Sequence, residues 1–372
     1  MRVLMTGGGT AGHINPALAI AEKIRRERPD TEFLFVGANG RMEMQLVPAA
    51  GYPIRGENVR GFQRRLTVKN IGRNVLAAVD VVTSSAVSAR IVKQFSPDIA
   101  IGTGGYVCGP VLRQALRHGV PVLVHESNAY PGVTVKMLAR EGALVMLCSE
   151  KARQYLPQGS RAVVTGNPLR PDLVLADPAD ARRALGADER PLLLSFGGSL
   201  GARRINEAMT EVLIRSHAEG RLQHIHGTGK SGYDTMAAAL AEHGVPLHGD
   251  GIDVRAYIDD MPRCMAAADL VISRCGAMTL SELPAAGKPA ILIPSPYVAE
   301  NHQYHNAMVL VEQGAAVCIE EKDLTGDRLW DTVCQLTADP ARLKQMAQAM
   351  RSAAVLDADE RIWQVIRETL GI

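Results

Sequence analysis

The chain has 372 residues, which at about 100 to 200 residues per domain predicts two domains around two cores and excludes a small stapled module. Hydrophobic residues make up 47% and charged residues 22%, with 35 glycines and 20 prolines, the profile of a folded α/β enzyme and not of a disordered or fibrous chain. Aromatics reach only 4%, too few for rows of Trp and Tyr that stack bases or sugars, and the net charge is +2, so recognition is expected to be polar.

Six cysteines, Cys108, Cys148, Cys264, Cys275, Cys318 and Cys334, are scattered without a CxxC pair or a histidine at ligand spacing. That pattern predicts reduced thiols and no metal site. Met1–Thr6 enters a strand and a glycine loop at once, leaving no room for an export signal, and no run of 18 apolar residues is present to span a membrane. Charge is unevenly divided: residues 1–165 carry 21 Lys and Arg against 11 Asp and Glu, and the remainder carries 20 against 28. Between Asn58 and Val79 there is no acid, and Arg60, Arg64, Arg65, Lys69 and Arg73 alternate with Phe62, Leu66, Val68, Ile71, Val75 and Leu76. Such a stretch is either a solvated loop and helix face or a surface for anionic lipid headgroups or a lipid-linked phosphate. Because the patch is local and the chain nearly neutral, no nucleic-acid partner is expected.

Short apolar, β-branched runs alternate with helical patterns, the signature of parallel sheets built from βαβ units. In the front half the predicted strands are Val3–Thr6, Glu32–Gly37, Ile99–Gly102, Val120–His125 and Leu144–Cys148. In the back half they are Leu192–Phe196, Leu222–His226, Leu270–Ser273, Ala290–Pro294 and Ala316–Ile319. Each half therefore reads as one doubly wound domain, with the link at Val163–Pro171, where a strand runs into Gly166, Asn167, Pro168 and Pro171. The expected domains are 1–165 and 166–355, followed by a terminal segment 356–372; Ala341–Leu370 reads as two helices, the second carrying Ile362, Ile366 and Leu370 on one face. Ligands of such sheets collect at the carboxyl ends of the strands, so the site is expected in a cleft between the domains.

The motifs fall at those strand ends. Gly7, Gly9 and Gly12 match GxGxxG after the first strand, but the second strand ends in Phe35-Val36-Gly37-Ala38 with no acid to bind a ribose, which argues against a nicotinamide enzyme. The bare N–H groups of such a loop still favour an anion. His13, in the first turn of the following helix, is either a neutral general base or a helix-start histidine bonded to the backbone. Gly102–Tyr106 and Gly197–Arg203 are further glycine loops, and His125-Glu126-Ser127-Asn128 offers acid, base or hydroxyl-binding groups. Ser273–Glu282 runs from a strand through Gly276 into a helix start, where Glu282 either complements the dipole or accepts from a ribose diol. Glu300-Asn301-His302-Gln303 offers polar groups for sugar hydroxyls. Asp357-Ala358-Asp359 is the sole DxD and reads as a helix-capping pair, and neither GxSxG nor GxxxxGK[ST] is present.

Taken in order, Gly8–Pro16, Gly104–Pro110, His125–Asn128, Gly166–Arg170, Gly197–Arg203 and Gly276–Glu282 resemble the motifs of the MurG glycosyltransferases over essentially the whole chain. That family moves N-acetylglucosamine from UDP-GlcNAc to lipid I, giving lipid II for peptidoglycan. Ala11 stands where the family commonly has glycine, and His302 where some members have a second glutamine. The resemblance implies a GT-B fold of two Rossmann-like doubly wound domains, acceptor on the first and nucleotide sugar on the second, with the terminal helix crossing back. It implies that Ser199, Arg170, the Ile258 backbone and Ala277, Met278, Thr279, Leu280, Ser281 and Glu282 hold UDP, with Glu282 on the ribose. Gln303, Asn128 and the loop Thr10, Ala11 and Gly12 would border the GlcNAc or the acceptor diphosphate, as would Gly104, Gly105 and Tyr106. His13 would be the base on the muramyl C4 hydroxyl, with Glu126 a competing candidate. No metal or cofactor is implied; the partners are UDP-GlcNAc, lipid I, an anionic membrane surface at the cytoplasmic face and other cell-wall synthesis proteins. The competing readings are a glycolipid synthase, a UDP-GlcNAc 2-epimerase and a non-catalytic scaffold that binds nucleotide sugar.

Overall fold

The structure, a computed structural model, describes residues 1–59, 84–169, 177–198 and 200–372. These form two compact units, Met1–Pro168 with Asp357–Ile372, and Leu169–Leu356. The basic and apolar stretch from Arg60 to Leu76 lies outside the described residues, as do Arg170 and Ser199.

The first unit is built on seven parallel strands: β1 (Arg2–Thr6), β2 (Glu32–Ala38), β3 (Ile54–Glu57), β4 (Ile99–Gly102), β5 (Val122–Glu126), β6 (Leu144–Leu147) and β7 (Ala162–Val164). Their order is β3-β2-β1-β4-β5-β6-β7, so the chain winds outward in both directions from β1 and β4. Helices on both faces bury each strand twice, and this is why β1 reads Val-Leu-Met without polar alternation. Val3 and Met5 enter one core with Ile14, Ile20 and Ile24 of α1 (Ala11–Glu27), whereas Leu4 enters the other with Val111 and Leu112 of the helix Cys108–Arg117.

The terminal helix, Ala358–Leu370, belongs to this unit and lies on the α1 side of its sheet. Ile362, Trp363 and Ile366 are buried there, each worth about 1.5–3 kcal/mol by removal from water. Leu370, also expected on this face, packs against the same core half-buried. Lys23, itself buried, pairs with Glu27 and with Glu360 on the terminal helix. The expected capping role of the DxD pair is corrected here. Asp357 occupies the N-cap position but its carboxylate turns to Arg361 Nε at 2.9 Å and caps no N–H, and Asp359 pairs with Arg26 at 3.7 Å.

The second unit repeats the plan with β8 (Leu192–Phe196), β9 (Gln223–Gly227), β10 (His248–Gly249), β11 (Ile252–Arg255), β12 (Leu270–Ser273), β13 (Ala290–Leu292) and β14 (Ala316–Cys318). The order is β10-β11-β9-β8-β12-β13-β14, with only the two-residue edge strand β10 antiparallel. Three strands, β3, β10 and β11, lie outside the sequence expectation. β3 reads Ile-Arg-Gly-Glu and β11 Ile-Asp-Val-Arg, short and half polar near the sheet edges, where no continuous apolar run is required. β7 is the strand expected to lead into the link at Val163–Pro171.

Candidate active site

In the first unit the loops after β1 and β4 meet. The β1–α1 loop, Gly7–Thr10, lies against the β4 loop, Thr103–Tyr106, and is tied to it by Gly8 N–H donating to the Gly104 carbonyl at 3.3 Å. Gly104 has φ +109, and a Cβ there would stand 2.5 Å from His13 Nδ1; at Gly105, φ +90, a Cβ would collide with the Gly8 carbonyl. Both positions need the left-handed backbone and the empty space together. Gly105→Ala is therefore expected to lose activity and to destabilise the first unit by at least about 1–3 kcal/mol, read as a fall in Tm with the fold retained. Thr10 and Gly12 are exposed, Ala11 is half-buried, and Tyr106 projects into solvent at 60% exposure, so the rim of the paired loops is open to a ligand.

His13 lies in the first turn of α1, half-buried, with Nδ1 3.0 Å from the Thr103 carbonyl. A carbonyl can only accept, so Nδ1 carries the hydrogen and Nε2 keeps its lone pair. The Thr103 hydroxyl in turn donates to the His13 carbonyl at 2.6 Å, locking the pair. Burial holds the imidazole below its usual 6.5, against the opposing effects of the Thr103 bond and the Glu43 charge. The result is a neutral ring with a fixed tautomer and an available acceptor.

Glu126, at the end of β5, is buried with its carboxylate engaged by its own loop. Oε1 accepts from Asn128 N at 2.9 Å and Asn128 Nδ2 at 3.0 Å, and Oε2 from Gly132 N at 2.8 Å. The arrangement fixes the half-buried Asn128 side chain. His125 is fully buried, donating from Nε2 to the Gly166 carbonyl at 3.0 Å and pushed down to about 4 by burial, so it braces β5 against the segment after β7.

In the second unit the glycine loop after β8 closes on itself through Gly201 N–H to the Gly198 carbonyl at 2.9 Å, and a Cβ on Gly201 would collide with the Thr228 carbonyl. Leu200 is 84% exposed at its tip. Ile258 is buried in the turn after β11, which Arg255 spans by bonding Asp253 (Nε, 2.8 Å) and Asp260 (Nη1, 2.7 Å). Ala277 and Met278 lead into the helix Thr279–Ala286, with Thr279, Leu280, Ser281 and Glu282 in its first turn and all six residues half-buried. Gln303 is the second residue of the helix His302–Val311; its Oε1 accepts from Cys275 N (3.3 Å) and Ser295 N (2.9 Å), joining the loops after β12 and β13. Just before it, Glu300 and Asn301 hold left-handed backbone at φ 55 and 49, which for non-glycine residues costs of the order of 1–3 kcal/mol each and clusters at functional sites. Asn301 and Tyr304 line a pocket of about 310 Å³ with Pro294, Pro296 and Tyr297. Beneath it Arg274 and Glu321 form a buried ion pair, Arg274 also donating to the Ile293 and Pro294 carbonyls.

Sequence reasoning passed over three groups: Thr103 as the partner of His13, Arg255 as the brace of the Ile258 turn, and Glu43. Among the described residues no cluster of His, Cys, Asp and Glu is arranged to hold a metal ion.

Residues 3–146 match the family model described as the glycosyltransferase family 28 N-terminal domain, and residues 192–362 the glycosyltransferase family 28 C-terminal domain. A protein of Acetivibrio thermocellus, named UDP-N-acetylglucosamine–N-acetylmuramyl-(pentapeptide) pyrophosphoryl-undecaprenol N-acetylglucosamine transferase, is 43% identical over 371 residues, covering 100% of this chain and 98% of that one. The protein of the same name from Ruminiclostridium cellulolyticum is 40% identical, with 100% of both chains covered. The crystal structure of Acinetobacter baumannii MurG superposes with a TM-score of 0.81 at 29% identity, covering 99% of each chain. This chain belongs to the MurG family. Its two parallel-sheet α/β units are those of a GT-B glycosyltransferase, and the MurG resemblance drawn from the ordered motifs holds over the full length.

Proposed function

We propose that this enzyme transfers N-acetylglucosamine from UDP-GlcNAc to the C4 hydroxyl of the muramyl sugar of lipid I, inverting the anomeric carbon and giving lipid II. The observation that carries the chemistry is His13, a neutral imidazole whose Nδ1 hydrogen is held by the Thr103 carbonyl so that Nε2 is left to take a proton. In the proposed step Nε2 removes the C4 hydroxyl proton as the oxygen attacks the anomeric carbon and the bond to UDP breaks. Positive charge develops on the sugar and negative charge on the departing diphosphate, which the N–H groups at the start of the helix Thr279–Ala286 are suited to stabilise. Glu282 would accept from the ribose diol, and Ser199, Arg170 and the Ile258 backbone would complete the UDP site. Gln303 would face the GlcNAc, its Oε1 already committed to the protein. Glu126 is assigned the role of holding Asn128, since its oxygens already accept three N–H groups. The rim formed by Thr10, Ala11, Gly12, Gly104, Gly105 and Tyr106 would border the acceptor diphosphate.

A lipid-linked acceptor places the enzyme at a membrane surface, for which the family resemblance gives the cytoplasmic face. No described helix is long and apolar enough to cross a membrane, and the basic and apolar stretch Asn58–Val79 is the segment proposed to meet anionic headgroups. The test is transfer of labelled GlcNAc from UDP-GlcNAc to a lipid I analogue by purified enzyme, with and without EDTA. Labelled disaccharide product in both samples is expected. Consumption of UDP-GlcNAc without acceptor would instead indicate an epimerase, and binding without turnover a scaffold.

A further inference from the structure

Glu43 follows the end of β2 by five residues, at the start of the helix Glu43–Ala49, and its residue surface is fully buried. A buried carboxylate is tolerated only where donors meet it. Here Oε2 accepts from Gly9 N–H and Oε1 from Ala38 N–H, both at 3.0 Å, so one side chain pins the first glycine loop to the end of β2. The surrounding sequence is shaped to admit it. A Cβ on Gly8 would collide with the carboxylate, and one on Gly37 would stand 2.6 Å from Glu43 Cγ. Gly8, within the loop that reads as a ligand cradle, and Gly37, in β2, are thus spaces for an internal side chain, and the Gly8 and Gly9 N–H groups both have protein partners.

The start of α1 also needs an anion. It has no acid in its first turn, and its N-cap residue, Thr10, makes no side-chain cap. Helix N-termini favour negative charge, and Glu43 brings it from a neighbouring element to Gly9, one residue before the cap.

We propose that Glu43 is a positioning residue for His13, holding the first glycine loop in its bend and supplying the anion that the start of α1 lacks. The role rests on the reading of His13 as the base. The groups packed about His13 are Thr103 and Gly104 from the β4 loop, Cys108 beneath them and Glu43; the Cys108 thiol, donating to the Gly104 carbonyl at 2.9 Å and pushed up to about 11, stays neutral. Glu43 is then the charge that favours the protonated imidazole against the burial that disfavours it.

The experiment uses the full-length enzyme with isotope-labelled histidine, His13 being assigned from the spectrum of His13→Gln. Glu43→Gln keeps the shape but removes the charge and sets an amide N–H₂ against a backbone donor. The titration midpoint of His13 is expected to move to lower pH, with kcat down by about 10- to 100-fold and the KM for UDP-GlcNAc little changed. Glu43→Asp keeps the charge, so the midpoint stays near wild type while the shortened reach lowers kcat. An unchanged His13 midpoint in Glu43→Gln overturns the proposal. A midpoint that moves while the acid limb of kcat does not would uphold Glu43 and remove His13 as the base. In the wild type, the Gly9 and Ala38 amides are expected to be protected from hydrogen exchange; exchange at open-loop rates would overturn the proposal without any variant.

Discussion

His13→Ala lowers kcat by about 10²- to 10⁴-fold, the range for losing a general base, while UDP-GlcNAc still binds. The expectation follows from where the ring nitrogens point. With the Nδ1 hydrogen committed to the Thr103 carbonyl, Nε2 is the only basic atom the residue offers. His13→Gln separates the roles, because its amide can donate to Thr103 yet supplies no base; it should be as inactive as alanine. Recovery of activity in His13→Gln would show that the ring acts by packing alone. The pH profile carries the same information. Because burial holds the imidazole below 6.5, kcat should be level through neutral pH and fall only on the acid side, as the ring gains its proton. Glu126→Gln should leave that acid limb in place, since the Glu126 carboxylate binds its own loop and its loss acts through Asn128.

The sheets and the glycine loops were legible because each is written locally. Val3–Thr6 and Leu192–Phe196 are apolar runs buried on both faces, and each glycine cluster follows a strand directly. The edge strand β3 and β11, next to the edge strand β10, were not, since a short strand of four residues that is half polar carries side chains that erase the pattern. At the site, His13 and the loops could be named but their mutual bonding could not: the partner of His13 lies 90 residues away and that of Gly9 34 residues away. GxGxxG rightly excluded a nicotinamide enzyme, but the N–H groups of its Gly8 and Gly9, expected bare, are bonded within the protein. The sequence lacks an acid at the end of β2, yet the acid arrives at Glu43, after a turn, facing the loop from inside. Only the fold brings a carboxylate from α-helical sequence beneath a glycine loop, and no local spacing announces it. The same holds for Glu126, whose place in His125–Asn128 suggests chemistry while its hydrogen bonds describe a brace.

The second unit should give way before the first in mild acid, because of two buried histidines, His224 and His226, on β9. Both are buried, His224 bonded to Ser216 Oγ and His226 to Ser195 Oγ at 2.7 Å each, and burial pushes them down to about 3 and about 4. His226 also faces Asn206 Oδ1 at 3.3 Å, while the charges acting on His224 are His226 and Arg190, both opposing protonation. In the unfolded chain each titrates near 6.5, so below that pH the unfolded state binds more protons and stability falls. Each histidine approaches a loss of about 1.4 kcal/mol per pH unit once its unfolded form is fully protonated, so the pair takes about 3 kcal/mol between pH 6.5 and 5, a sizeable share of a typical domain's 5–15 kcal/mol. In the first unit His125 and His13 act in the same direction, but Glu57, buried against Ser88 and pushed up to about 7, acts in the other. Its folded form takes up a proton as pH falls from 7 towards 4.5, which adds stability over the same window. Lys288, pushed down to about 8, titrates above this range and leaves the comparison untouched. Hydrogen exchange read by mass spectrometry at pH 7.5 and 5.5, corrected for intrinsic rate, should show opening first in peptides from residues 192–318. His226→Asn should flatten the loss between the two pH values even though it weakens the unit at neutral pH. Equal acid sensitivity in wild type and variant would mean that the carboxylates, and not these imidazoles, set the acid limit.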